Sequence, residues 1–76
     1  MDSNKVRFWK AMATIANSPE GKVLLNNLQE RREEVRSRLE ASPDLVEIHR
    51  LQGRADALST LIDELQDAPE VVRRIT

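Results

Sequence analysis

The chain has 76 residues, no cysteine and a formal net charge of −1, from 12 lysines and arginines and 13 aspartates and glutamates. So short a chain forms one domain, 1–76, and buries only about 60% of its unfolded surface. Because it has no cysteine for disulfides or thiolate metal sites, its stability must come from helix packing or oligomerisation. The balanced charge gives no general attraction to nucleic acid or to an anionic membrane, and residues 1–18 have no apolar run that would form a signal peptide or a membrane span.

The fold class is predicted to be all-α, because Leu, Arg, Glu and Ala are abundant and no segment shows the alternation of a β-strand. Three prolines divide the chain, in the segments SPEG at 18–21, SPDL at 42–45 and APEV at 68–71. Proline is tolerated at the first helical position because its missing N–H would have no partner there. We therefore predict helices over 4–16, 19–41 and 43–66, and a short C-terminal helix over 69–75.

The first predicted helix is apolar over a wide arc. One stripe consists of Val6, Trp9, Met12, Ala13 and Ala16, and two further apolar residues, Phe8 and Ile15, lie beside it. A helix with so wide an apolar face is expected to be buried on two sides. We therefore predict that it packs on the rest of the chain and also meets another chain, either a second copy in a homo-oligomer or another protein.

The second and third helices are predicted to begin at serine N-caps, Ser18 and Ser42. Glu20 and Asp44 then place negative charge in the first turn, where the helix dipole favours it. The short C-terminal helix has only Ala68 at its cap position and is expected to be weaker.

These two helices carry apolar residues at alternating spacings of three and four, as in a coiled coil. Because the linker at Ser42 is short, they are predicted to form an antiparallel, coiled-coil-like hairpin, with the N-terminal helix packed on it. In this register Val35 faces Leu51, and Leu28 faces Leu58. The core-facing residues are Leu25, Leu28, Val35 and Leu39 in helix 2, and Ile48, Leu51, Ala55, Leu58, Ile62 and Leu65 in helix 3.

Arg32 interrupts the apolar stripe of helix 2 and is predicted to face Ala55. Its alkyl stem is expected to lie over the small alanine while the guanidinium reaches water. A buried residue that sets the register or acts as a switch is the alternative.

One flank of the hairpin is predicted to be apolar near the open end, at Leu24 and Leu61, where helix 1 is expected to cover it. Nearer the turn the same flank is cationic. We call its three arginines, Arg31, Arg38 and Arg54, the arginine flank. Arg31 faces Arg54, while Arg38 can pair with Glu47.

The remaining charges of residues 30–40 are predicted to form a solvated face. Glu34–Arg38 and Arg36–Glu40 have the spacing of helical ion pairs, each worth a few tenths of a kcal/mol. The arginine flank is the better candidate for a functional patch, one that could meet an acidic protein or a phosphate backbone. It has no aromatic residues on which bases could stack, which disfavours nucleic acid.

The sequence contains no convincing catalytic set, cofactor site or metal site, with one histidine, no cysteine, no tyrosine and no glycine-rich phosphate loop. His49 follows a core-facing residue and is expected to face water; a ligand or a pH switch is the alternative reading. We predict that the protein is not an enzyme.

Gly53 falls on the outer face of helix 3, where it costs about 1 kcal/mol relative to alanine. It is either a neutral replacement or a place where another backbone comes close.

The segment HRLQGRADALSTLIDELQDAPEVV, together with WKAMA and LQERREEVRSRLE, resembles short helical proteins of tailed bacteriophages. These have an N-terminal tryptophan segment, a charged helix and an LQGxAxAL motif, which spans Leu51–Leu58 here. The resemblance implies a small helical accessory encoded near virion genes, and it implies no catalytic residues.

We therefore predict a non-enzymatic protein–protein interaction module, an oligomeric accessory of virion structure or assembly in the cytoplasm of a bacterial host or on the virion. The alternative is a small inhibitor or adaptor that binds a host protein through the arginine flank. The candidate interface residues are Phe8, Trp9, Met12, Ile15, Arg31, Arg38, Gly53 and Arg54.

Overall fold

The computed structural model describes residues 2–76, which form three α-helices packed against one another and contain no β-strand. Helix α1 spans Ser3–Ala16, α2 spans Pro19–Ala41 and α3 spans Leu45–Ile75. α1 and α2 both pack mainly on α3 and touch each other less. The prediction of an all-α protein with a packed N-terminal helix is confirmed.

Side-chain oxygens define where α1 and α2 begin. The Asp2 carboxylate accepts a hydrogen bond from the backbone N–H of Lys5 at 2.9 Å and caps α1. The Ser18 hydroxyl accepts from the Gly21 N–H at 2.9 Å and donates to the Ile15 carbonyl at 2.7 Å. Because it bonds the last turn of one helix and the first turn of the next, Ser18 fixes both ends of the two-residue connection between α1 and α2.

Gly21 allows the first turn of α2 to approach the end of α1. The residue is buried, and a Cβ atom at this position would overlap the backbone carbonyl of Ile15. Glycine costs about 1 kcal/mol in a helix relative to alanine, but here any side chain would push the two helices apart. The close approach therefore requires glycine for space, since no glycine in residues 2–76 adopts a positive φ.

The third helix begins at Leu45 with Asp44 as its N-cap, which corrects the predicted start at residue 43 and the predicted cap at Ser42. The Asp44 carboxylate accepts from the Val46 N–H at 3.0 Å, while Ser42 ends α2 in an extended conformation. A residue before proline favours extended backbone, so Ser42 and Pro43 serve the reversal of the chain. The aspartate, next to α3, therefore takes the capping role that the repeated Ser-Pro pattern had suggested for the serine.

α3 continues through Pro69 to Ile75, so the predicted break and separate helix over 69–75 are wrong. An interior proline removes one helical hydrogen bond and costs about 3 kcal/mol. Packing offsets that cost, because Leu65 and Ala68 on the same stretch are 2% and 0% exposed. Ala68 also has no side-chain oxygen that could cap a new helix, so the local sequence offered no good alternative.

The main hydrophobic core lies where α1 and α2 meet the C-terminal half of α3. Its buried residues are Met12, Ala13, Leu28, Ile62, Leu65 and Ala68. Around them lie the half-buried residues Trp9, Ala16, Leu25, Leu58 and Val72. Val35 and Leu51 are buried outside this cluster, and no charged residue of the described chain is buried.

The prediction that α1 covers the apolar pair Leu24 and Leu61 is wrong. These side chains remain 42% and 38% exposed, because α1 lies on the part of α3 that includes Leu65, Ala68 and Val72. The stripe of α1 that was expected to face the core does so. It packs further along α3 than predicted, on a stretch that includes Val72. The prediction had ended the third helix before this residue.

Arg32 is half-buried, and its Nε atom is enclosed without a hydrogen-bond partner among residues 2–76. Ala55, the predicted neighbour, is half-buried as well. The prediction that the guanidinium reaches water therefore holds only in part, since its Nε atom lies below the surface.

The molecule is extended for its size. Its Cα atoms span 48 × 27 × 15 Å with a radius of gyration of 15.2 Å, whereas a compact chain of this length would have about 11 Å. The accessible surface is 5588 Å², against about 4,700 Å² for a compact monomer of 8.7 kDa. The fold thus leaves an excess of surface comparable to one side of a standard protein interface, about 800 Å².

The two glycines are predicted to respond oppositely to alanine. Gly21→Ala should lower the free energy of unfolding by about 2 kcal/mol, because the new methyl group meets a backbone carbonyl that cannot move without shifting a helix. Gly53→Ala should raise it by about 0.5–1 kcal/mol, because a Cβ there meets nothing within 4 Å. Urea denaturation followed by circular dichroism measures both. Equal effects of the two substitutions would contradict the close approach at Gly21.

Candidate interaction groove

A groove of about 550 Å³ lies between α2 and α3. Arg31 and Arg38 of α2 and Arg54 of α3 line it, so the structure brings the whole arginine flank together. Glu34 is the only acidic residue of the lining. The apolar part of the lining consists of Val35, Ala57, Leu58 and Leu61. We call this feature, with these eight lining residues, the arginine groove.

The spacing of the lining residues explains why they share one groove. On α2 the lining residues occupy positions i, i+3, i+4 and i+7 counted from Arg31, and on α3 they occupy the same positions counted from Arg54. Residues at such spacings lie on one face of a helix. Each helix therefore contributes about two turns, or roughly 10 Å of length, to the groove.

The arginines of the groove are not fully compensated by carboxylates. Arg38 pairs with Glu47 at 3.6 Å, as predicted, but both side chains are largely exposed, and such a pair contributes less than about 1 kcal/mol. Arg31 and Arg54 form no ion pair within residues 2–76. The groove thus combines an apolar lining with two positive charges that remain available to a partner.

The outer face of α2 carries the opposite charge. A shallow depression there is lined by Gln29, Glu30, Glu33, Glu34 and Ser37. Arg36 pairs with Glu33 at 3.0 Å, in place of the predicted pair with Glu40, and Arg38 contacts Glu47 instead of Glu34. Both side chains of the Arg36–Glu33 pair are more than half exposed, as expected of a solvated face.

The α1 residues proposed as interface have two different environments. Phe8 and Ile15 are exposed, at 43% and 41%, and remain available to another molecule. Trp9 is half-buried against the core and stacks edge-on with Phe8, with ring centroids 5.3 Å apart. Met12 is buried in the core, which removes it from the accessible surface and corrects its place among the interface candidates.

Gly53 is exposed and does not line the groove, although it is next to Arg54 in the sequence. His49 is exposed, as predicted from its position after a core-facing residue. Sequence reasoning missed Glu34 and Ala57 as groove residues. Their distance of three positions from Arg31 and Arg54, respectively, was the signal that could have found them.

Within residues 2–76, no group of three or more histidine, aspartate or glutamate side chains is arranged to hold a metal ion. None of the three described helices combines the length and apolar character needed to cross a bilayer. Comparison of the chain with protein-family models, with curated proteins and with solved structures finds no match.

Two leucine-to-alanine substitutions on α3 should differ in their effect on stability, because one leucine lines the groove and the other lies in the core. Leu61→Ala should lower the free energy of unfolding by less than about 1 kcal/mol, because Leu61 is 38% exposed. Leu65→Ala removes the same atoms one turn further on, where the side chain is 2% exposed, and should cost about 2–5 kcal/mol. Thermal and urea unfolding measure the difference. Similar losses would mean that Leu61 belongs to the core.

Proposed function

We propose that this protein is a non-enzymatic protein–protein interaction module and that the arginine groove is its main binding surface. The observation that carries this proposal is the combination, in one groove, of an apolar lining with Arg31 and Arg54, which have no ion-pair partner among residues 2–76. An apolar centre with arginines at its edge is the composition that protein interfaces favour.

The shape of the molecule supports the same proposal. The accessible surface exceeds that of a compact monomer by roughly the area that one partner contributes to a standard interface. Exposed apolar side chains accompany this excess, among them Phe8, Ile15, Leu24 and Leu61. A partner that covered some of them would add the burial that so small a chain cannot supply for itself.

We further infer that α2 and α3 form an antiparallel hairpin within one chain. Three residues connect the two helices, and the Arg38–Glu47 pair joins positions close to this connection. Further away, Leu28 shares a cluster with Ile62, and Arg31 shares the groove with Leu61. These contacts fit position numbers that rise on one helix while they fall on the other.

A disulfide tests the hairpin, since the natural chain has no cysteine that could interfere. The variant Val35→Cys/Leu51→Cys should form its disulfide within one chain, because the predicted register pairs these two residues, both of which are buried. Non-reducing electrophoresis and mass spectrometry after mild oxidation distinguish the products. Crosslinks only between chains would instead indicate a swapped dimer.

The biological setting follows from the resemblance to tailed-bacteriophage proteins. On that basis the module is an oligomeric accessory of virion structure or assembly, and it acts in the cytoplasm of a bacterial host or on the virion itself. The exposed Phe8 and Ile15 of α1 are the surface that supports self-association. Because α1 carries Lys5, Arg7 and Lys10, this surface would meet a second copy away from the arginine groove.

A small inhibitor or adaptor of a host protein is the second candidate function. The availability of Arg31 and Arg54 favours it, because a positive patch is suited to an acidic partner. An inhibitor or adaptor would use the same arginine groove as a virion accessory, but its partner would be a host protein.

A charge-reversal experiment tests whether the groove binds a protein. Arg31→Glu/Arg54→Glu should abolish the specific retention of a phage or host protein, because two attractive contacts become repulsive. Lys22→Glu/Arg36→Glu is the matched control, because both residues are exposed on α2 and lie outside the groove. This variant changes the net charge by the same amount as the groove variant.

Affinity capture from infected and uninfected cells, quantified by mass spectrometry, measures the retention. A partner retained equally by wild type and both variants would refute the groove as the binding surface. Sedimentation equilibrium of the same three proteins determines the oligomeric state, and a monomer at all concentrations would remove self-association.

A further inference from the structure

α1 and the arginine groove occupy successive parts of the same side of α3. Arg54, Leu61 and Ala68 follow one another at intervals of seven residues, which places them on one face of a helix. Ala68 is fully covered in the core to which α1 contributes, whereas Leu61 is 38% exposed and Arg54 lines open space. The groove therefore continues the surface on which α1 lies, beyond the region that α1 covers.

The two halves of α3 differ in charge. The C-terminal half, where the shared core with α1 lies, carries Asp63, Glu64, Asp67 and Glu70, of which Glu70 pairs with Arg73 and Arg74, whereas α1 carries Lys5, Arg7 and Lys10. The basic residues of α1 form no direct ion pair with these acidic residues in residues 2–76. The groove has the reverse charge, with three arginines against Glu34.

We propose that the arginine groove binds an acidic amphipathic helix of another protein. This inference deepens the function proposed above and rests on it. The bound helix places apolar side chains against Leu58, Leu61 and Ala57, and its carboxylates pair with Arg31 and Arg54. Since the groove is about 10 Å long, two turns of helix fill it.

The charges argue against a second copy of this chain as the occupant. Two grooves placed face to face would bring six arginines together, with only one Glu34 from each copy among the lining residues. The exposed apolar face of α1 belongs to a basic helix, which the arginines would repel. The acidic outer stripe of α3, at Asp56, Thr60, Asp63 and Asp67, has no apolar side chain to cover the leucines of the groove.

A labelled synthetic peptide tests the proposal with the full chain. The peptide has about 15 residues, long enough to form a helix, and repeats the apolar spacing of α1 at i, i+3, i+4 and i+7 with glutamates on both flanks. A second peptide replaces every glutamate with glutamine. Fluorescence anisotropy gives the affinities, and sedimentation equilibrium of the protein alone is recorded beside them.

The acidic peptide should bind wild type at least tenfold more tightly than the glutamine peptide, and its affinity should fall as salt is added. Arg31→Glu/Arg54→Glu should weaken binding about tenfold or more, whereas Lys22→Glu/Arg36→Glu should leave it within about twofold. Leu61→Ala should also weaken binding several-fold, because the groove loses part of its apolar lining.

Four results would overturn the inference. Equal binding of the two peptides would mean that the groove takes a helix without selecting its charge. Absence of peptide binding, while the groove variant still loses its captured protein partner, would mean a partner of other chemistry. Both of these leave the proposed function standing. A wild-type dimer dissociated by Arg31→Glu/Arg54→Glu would make a second copy the occupant. Binding of duplex DNA that is lost in the same variant would exclude the proposed function as well.

Discussion

The packing of α1 against the C-terminal half of α3 stabilises α3 at Pro69, where the helix would otherwise be most easily interrupted. Leu65 and Ala68 lie in one core cluster with Met12 and Ala13, and Pro69 follows directly. A proline at this position costs α3 a hydrogen bond, and the burial of its neighbours offsets that loss. With α3 continuous to Ile75, α1 has a surface on which to lie, and the rest of that surface stays open as the arginine groove.

The connection between α1 and α2 determines how α1 reaches this position. Ser18 bonds the ends of both helices, and Gly21 lets the first turn of α2 approach the Ile15 carbonyl. A two-residue connection with such close contact leaves α1 little freedom of direction. Local backbone chemistry at one junction thereby influences the packing of a helix fourteen residues long.

Charge is distributed unevenly over the surface of the extended molecule. The C-terminal half of α3 shares a core with the basic α1, while the arginine flank lies next to an apolar lining in which Ala57 and Leu61 are exposed. Arg31 and Arg54 form no ion pair within residues 2–76 and line one groove together with apolar side chains, and this combination is the feature on which both proposals about function rest.

Local chemistry in the sequence was sufficient for the first two helices, the core-facing stripe of α1, the exposure of His49 and the Arg38–Glu47 pair. The helix bounds, the stripe and the exposure of His49 depend on caps and on spacing along a single helix, which are local properties of the sequence. The Arg38–Glu47 pair and the arginine flank join α2 to α3, and they could be predicted because the short connection between the two helices limits their register. The resemblance to phage proteins stays a prediction, because no comparison matched the chain and the resemblance names no residue whose role the geometry could test.

Tertiary structure decided the rest. Whether α3 breaks at Pro69 depends on what packs against Ala68, and the local pattern of residues 68–71 contains no information about α1. The place of α1 decided in turn that Met12 is buried and that Leu61 is exposed. The sequence by itself determined which residues share a face of each helix, because helical spacing is local. Only the packing of three helices decided which of those faces is covered, because that depends on residues far apart in the chain.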